Sequence, residues 1–230
     1  MKSFSLLLSF LLLSTSSLAQ TAESILEKAD NIRNPSDSFV MDVTVSNVDS
    51  TFKYQIKMGG KNRSLIKTLS PKREYGKNYL MVDQDMWVYI PNIRRSIRVA
   101  LHQKMAGQFS NGDIGRMRWF GNYDAKIFTE DDKYWVLELT AKKKGLTYEG
   151  IRVWVEKSSH RPLKAEYLAK SGRPLKYISF EGYRDIAGNI RPTLFVIRDA
   201  DNSKNVSKLI VDRMVKANIS KATFTKRALK

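Results

Sequence analysis

Cysteine is missing from all 230 residues. Its absence excludes disulfides, thiolate metal sites, cysteine nucleophiles and a lipidated N-terminal cysteine. Histidine occurs twice, as His102 and His160, outside the HExxH type of spacing that holds a catalytic metal. Neither a GxSxG nucleophile elbow nor a phosphate-cradling glycine pattern occurs. The acidic pairs Asp131–Asp132 and Asp83 with Asp85 flank strand ends, where solvated turns use such residues. The expectation is therefore a protein that is not an enzyme and takes no metal or cofactor. Negative charge is scarce as well: 23 acidic residues against 40 basic ones leave a formal net charge of +17. Such an excess favours anionic partners, either phospholipid headgroups or an acidic protein face.

Long apolar runs are confined to the start of the chain. Lys2 supplies a positive n-region, Phe4–Leu13 an apolar stretch, and Ser17-Leu18-Ala19 the small residues a signal peptidase reads. The stretch is shorter than the roughly 20 residues of a membrane-spanning helix. Residues 1–19 are thus expected to be a cleaved signal peptide. One domain, 20–230, would follow it, soluble after export. Removing Lys2 lowers the charge from +17 to +16. A secreted chain has no nucleic acid to meet, so the charge points to transient contact with a membrane surface or to an acidic protein. The 42% hydrophobic and 27% charged residues suit an ordinary globular core and argue against disorder.

Thr21 to Arg33 reads as a short amphipathic helix, with Ile25, Leu26, Ala29 and Ile32 on one face and Pro35 beyond its end. The period then changes from 3.6 to 2. Phe39, Met41, Val43 and Val45 alternate with polar or smaller neighbours. So do Phe52, Tyr54, Ile56 and Met58, and the two runs form a predicted hairpin. Further strands are predicted over 64–69, 79–82, 86–90, 96–100, 134–140, 150–156, 163–169, 175–182, 193–198 and 207–216. Turn residues such as Gly59-Gly60, Pro91-Asn92 and Asp201-Asn202 separate them. Many short strands at regular spacing predict an antiparallel sheet curled into a barrel or half-barrel.

One stretch breaks the rhythm. Residues 101–122 lack alternation yet carry Met105, Phe109, Ile114, Met117, Trp119 and Phe120. So long an irregular insert in a strand protein is usually functional. It is expected to fold as short helices over the open side of the sheet, a lid with Met105, Phe109, Ile114, Met117 and Trp119 turned inward. The inward strand set comprises Phe39, Met41, Val43, Val45, Phe52, Tyr54, Ile56, Met58, Trp87 and Tyr89. In a half-open sheet it lines an apolar groove, and in a closed one it is plain core. Arg94, Arg95 and Arg98 lead into the lid and are candidates for headgroup or partner contact. Lys142-Lys143-Lys144 reads as an exposed hairpin tip.

Several segments resemble the periplasmic outer-membrane lipoprotein-sorting proteins, the broad LolA-like group. They are the helix ahead of a long strand; Ser70-Pro71 followed by Leu80-Met81-Val82-Asp83 and Met86-Trp87-Val88-Tyr89-Ile90-Pro91; and Asn92-Ile93-Arg94-Arg95-Ser96-Ile97-Arg98 leading to Gly107-Gln108-Phe109-Ser110-Asn111-Gly112-Asp113. The C-terminal Ala222-Thr223-Phe224-Thr225 completes the set. The resemblance implies an incomplete antiparallel β-barrel, mainly β, with short helices covering its concave side. It also implies a carrier that shields the acyl chains of a lipid or lipoprotein on the way to the outer membrane. An inner-membrane exporter and an outer-membrane acceptor would be its partners. The same half-barrel also serves regulatory modules that sense lipid or lipoprotein, which is the alternative. The main lineage holds its lid with a single arginine near the second or third strand. Arg63 is the nearest residue here, but its surroundings do not match that motif.

Overall fold

A computed structural model describes residues 20–35, 37–60 and 62–229. The predicted signal segment, 1–19, lies outside the described residues. Helix α1 (Ala22–Arg33) starts where Thr21 caps it: the Ser24 N–H donates to Thr21 Oγ1 at 3.2 Å. Its inner face carries Ile25, Leu26 and Ala29, but also Asp30 and Arg33, all buried.

Six strands follow: β1 (Phe39–Ser46), β2 (Thr51–Met58), β3 (Arg63–Ser70), β4 (Asn78–Val82), β5 (Asp85–Ile90) and β6 (Arg95–Val99). The irregular stretch holds a two-strand ribbon, β7 (Lys104–Ala106) with β8 (Phe109–Ser110), and one turn of helix, α2 (Asn111–Ile114). The second half contains β9 (Tyr123–Glu130), β10 (Tyr134–Ala141), β11 (Gly150–Glu156), β12 (Pro162–Leu168), β13 (Pro174–Glu181), the small hairpin β14 (Arg184–Ile186) and β15 (Asn189–Arg191), then β16 (Leu194–Asp199) and β17 (Val206–Lys216).

Thirteen strands form one antiparallel sheet in the order β6-β5-β4-β3-β2-β1-β17-β16-β13-β12-β11-β10-β9. Its centre joins the first and last strands: Phe39 faces Lys216 and Ser46 faces Lys208, with one register shift between Asp42 and Val43. The outer strands, β6 and β9, come from mid-chain and do not pair with each other, so the sheet stays an open half-barrel. This topology dictates where the irregular stretch runs. It connects β6 to β9, the two free edges, and so has to cross the concave side between them.

The predicted strands lie within a residue or so of the observed ones. Strand β9 is an addition, since the sequence shows no regular run there. Only Tyr123 and Ala125 are buried, and its last five residues are exposed along the sheet edge. An edge strand with one wet side and one wet end loses the alternation that marks a half-buried strand. A second correction concerns Trp87 and Tyr89. On β5 the buried residues are Met86 and Val88. Trp87 and Tyr89 belong to a separate cluster on the convex face, with Leu65, Leu80, Phe224 and Leu229. Period 2 identifies two faces but not which one is concave, and in this strand both are apolar.

Candidate functional site: the covered concave face

The concave face is apolar along the centre of the sheet. Phe39, Met41, Val43, Val45, Tyr54, Ile56 and Met58 are buried, and Phe52 is half-buried beside them. They form one cluster with Leu137, Leu139, Ile151, Val153, Val155, Ile197, Leu209 and Val211 from the far half of the sheet. Two elements cover that surface. One is α1, through Ile25, Leu26 and Ala29. The other is the β6–β9 connection, through buried Phe109, Ile114, Met117 and Trp119 and half-buried Met105. Trp119 meets Phe180 edge-on, with ring centroids 5.8 Å apart. Gly107 lets the cover touch the sheet: its φ is +54°, and a Cβ there would lie 2.3 Å from Ser207 Oγ.

Beneath the cover the fit is close. The void among Arg33, Asp113, Met117, Trp119, Tyr123, Tyr148 and Tyr167 has a volume of about 10 Å³, at or below what one water molecule needs. The concave face is therefore closed off in this structure.

What fastens the cover is polar and buried. Asp30 accepts from Arg33 Nη2 at 2.6 Å, from the Trp119 N–H at 3.0 Å and from the Phe120 N–H at 3.1 Å. Arg33 also donates to the Met117 carbonyl at 3.0 Å and stacks on the Trp119 ring, 3.9 Å from its centroid. Returning bonds come from the cover: Arg116 donates to the Arg33 carbonyl and Arg118 to the Asn34 carbonyl, while Asn34 Nδ2 donates to the Arg116 carbonyl. Arg118 Nε lies 3.5 Å from Asp30 Oδ2. Arg191, on β15, caps the end of α1 by donating to the Asn31 carbonyl at 3.0 Å. Burial, with Arg33 and Arg191 close by, pulls the Arg116 guanidinium down to about 9.

A second polar group ties the other end of the cover to the sheet. Lys176 Nζ, on β13, donates to the Gln108 carbonyl at 2.6 Å and to Ser110 Oγ at 2.8 Å, and lies 3.4 Å from Tyr148 OH. Tyr148 OH donates to Asp113 Oδ2 at 2.7 Å, and the Ser110 N–H reaches the same oxygen at 2.8 Å. Tyr148 in turn stacks on Tyr167, with centroids 3.9 Å apart. Burial raises the Asp113 carboxyl above the usual carboxylate range and lowers the Lys176 ammonium, each opposed by the other's charge.

The candidate arginines of the sequence lie elsewhere. Arg94, Arg95 and Arg98 are exposed on and before the free edge strand β6, and Arg98 pairs with Asp85. Neither Arg63 nor this cluster touches the cover through a hydrogen bond among the described residues. No sequence motif singles out the fastening residues Asp30, Arg33, Arg116, Arg118 and Arg191. A signal existed for some. Asp30 and Arg33 interrupt the apolar face of α1, and Arg116-Met117-Arg118-Trp119 alternates charge with bulk. Among the described residues no group of three or more metal-ligating side chains comes together.

A family model described only as an uncharacterized protein matches residues 60–230. No curated protein matches the chain. Among solved structures, a LolA superfamily protein from Nitrosomonas europaea is 38% identical, with a TM-score of 0.84 over 91% of this chain and 100% of its own. A DUF1329 family protein from Desulfovibrio piger is 23% identical, with a TM-score of 0.74 over 91% of this chain and 98% of its own. A putative outer membrane lipoprotein-sorting protein domain from Vibrio parahaemolyticus is 19% identical, with a TM-score of 0.72 over 90% and 97%. The last two share the fold.

Proposed function

Since the chain belongs to the LolA superfamily, we propose that it is a periplasmic carrier, with residues 20–230 as its working domain once 1–19 are removed. It would take the acyl chains of lipoproteins or lipids onto its concave face and hand them on towards the outer membrane, with an inner-membrane exporter as donor. One observation carries the reading. The apolar concave face is covered by a segment strung between the two free sheet edges, and that segment is fastened by charged groups. A permanent core has no need of a cover attached in this way.

The energetics agree with exchange. Each buried methylene contributes about 0.8 kcal/mol, so a palmitoyl chain gains roughly 10 kcal/mol gross. Against this stands the loss of the cover's own apolar contacts and of a few charge-assisted hydrogen bonds at about 1.5–3 kcal/mol each. The terms are of similar size, so cargo and cover compete and small differences at the donor or acceptor set the direction of transfer. No helix among the described residues is long and apolar enough to cross a membrane. The exposed Arg94, Arg95 and Arg98 would add weak attraction to anionic lipid surfaces.

Because cysteine is absent, a single Met117→Cys variant of the mature chain offers one reporter under the cover. Maleimide labelling should be slow without lipid and accelerate when palmitoyl lipid is added, and mass spectrometry should find the lipid on the purified protein. A labelling rate indifferent to lipid, with none retained, would remove the carrier reading.

A further inference from the structure

The buried charge around the cover is unbalanced. Arg33, Arg116, Arg118, Lys176 and Arg191 are all at most 8% exposed. The buried anions facing them are Asp30 and Asp113; Glu27 near Arg118, Asp37 and Asp185 near Arg191, and Asp199 near Lys176 stand at or close to the surface, where water screens them. Burying five cations against two buried carboxylates is costly, because charge compensated only from the surface keeps part of its desolvation penalty. Arg33 Nε, Arg116 Nε and Arg191 Nε are buried without a hydrogen-bond partner among the described residues.

The two carboxylates differ in where they sit. Asp30 belongs to α1, next to Arg33. Asp113 belongs to the cover and is carried by it into a site built by the sheet. There its Oδ2 takes the Tyr148 hydroxyl, with Lys176 beside it and Arg33 lining the same small void. Lys176 is almost wholly dependent on the cover, since its two shortest bonds go to Gln108 and Ser110. Lifting the cover would remove both of these acceptors and the neighbouring carboxylate together. An ammonium and a phenol hydroxyl would then face the open groove without the Asp113 carboxylate, and Arg33, which keeps Asp30, would add its unpartnered Nε to the same void.

We infer that Lys176, Tyr148 and Arg33 form a recognition site for a compact anionic group on the cargo, phosphate or carboxylate, and that Asp113 of the cover occupies this site in the closed state. The inference rests on the carrier reading and narrows it. The preferred cargo is an acyl chain attached to an anion, not a neutral glyceride. Charge supplied by the ligand replaces charge withdrawn with the cover, so the buried cations are never left bare. The stacked Tyr148–Tyr167 pair, and the Tyr123 hydroxyl donating to the Tyr148 carbonyl at 2.9 Å, hold the phenol in place in both states.

The test compares three soluble probes on the mature chain: palmitoyl lysophosphatidylglycerol, monopalmitoylglycerol, and glycerol phosphate without a chain. Wild-type protein should bind the lysophospholipid at least about tenfold more tightly than the neutral lipid, the scale of one charge-assisted hydrogen bond, and glycerol phosphate weakly. Lys176→Gln and the near-isosteric Tyr148→Phe loosen the cover for both lipids alike, so the readout is the ratio of the two affinities, and both variants should erase most of that preference. Lys176→Arg should restore it. Asp113→Asn should move the other way and tighten the anionic lipid, because the internal occupant is gone. Equal wild-type affinity for the two lipids overturns the inference but leaves the carrier reading standing. So does a ratio left unchanged in Tyr148→Phe. Glycerol phosphate binding as tightly as the lysolipid shows a site for free phosphate and also overturns it. Failure of wild type to bind either lipid sinks both readings.

Discussion

The two faces of this sheet are both covered by other parts of the chain, and the covers are built from opposite materials. On the concave face the β6–β9 connection is fastened by Asp30, Arg33, Arg116 and Arg118 around a few backbone groups. On the convex face the C-terminal tail lies over β3–β5 with Phe224 and Leu229 buried against Leu65, Leu80, Trp87 and Tyr89. Polar supplements there are few: Asn78 Nδ2 donates to the Leu229 carbonyl at 3.0 Å, and Lys226 sits over the Trp87 ring. Apolar contacts are non-directional and tolerate small shifts. Buried charges demand exact partners and fail together when one is removed. A tail held by grease is suited to staying. A cover held by paired charges is suited to two states, provided that something else can satisfy the charges when it leaves.

Breaking this contrast should produce effects of graded size. The largest is expected from Asp30→Ala, which strands Arg33 and Arg118 in the interior; a loss of about 3–5 kcal/mol in urea unfolding is the scale for a broken buried pair. Next comes Phe224→Ala on the opposite face, costing about 2 kcal/mol, the burial value of one aromatic side chain. Its effect should be local: proteolysis should trim the tail first, while acyl-lipid binding stays as in wild type. Gly59→Ala probes the same contact from below. A Cβ there would lie 2.1 Å from Phe224 Cε2, so the ring must move, at about 1 kcal/mol for mild overpacking. Thermal melting should show the loss, and it should largely vanish in the Phe224→Ala background.

The smallest effect is a pH dependence on the concave side. The folded-state pKa of Asp113 is raised, so the folded chain holds this proton more tightly than the unfolded chain does. Its contribution is present in full below the unfolded value and is lost as pH rises through the folded one. The melting temperature of wild type relative to Asp113→Asn should therefore fall as pH rises above the ordinary carboxylate range, about pH 4. A relative stability that climbs with rising pH there would contradict burial as the dominant influence on this carboxyl.

Much of the architecture was legible in the residues. The β1–β2 hairpin and most later strands followed from period 2, because one side of each faces the core and the other faces water. The cover was visible as an irregular stretch too rich in large apolar groups to be a plain loop, and Phe109, Ile114, Met117 and Trp119 all turn inward. The fastening was not legible. Asp30 meets the Trp119 amide across 89 positions of sequence, and no local pattern encodes such a pairing. Arg94, Arg95 and Arg98 stand together in the chain, yet they are exposed along a sheet edge and make no hydrogen bond to that network among the described residues.

The order of residues alone determined the kind of protein this is: a curled antiparallel sheet with a greasy side and a basic balance of charge. Those properties are carried by periodicity and composition, which are local or additive. Tertiary structure decided that the sheet stays open, which apolar face is concave and which charges hold its cover in place. Each of these depends on the sheet curling so that the ends of strands distant in sequence converge, and convergence in space is a property of the whole fold.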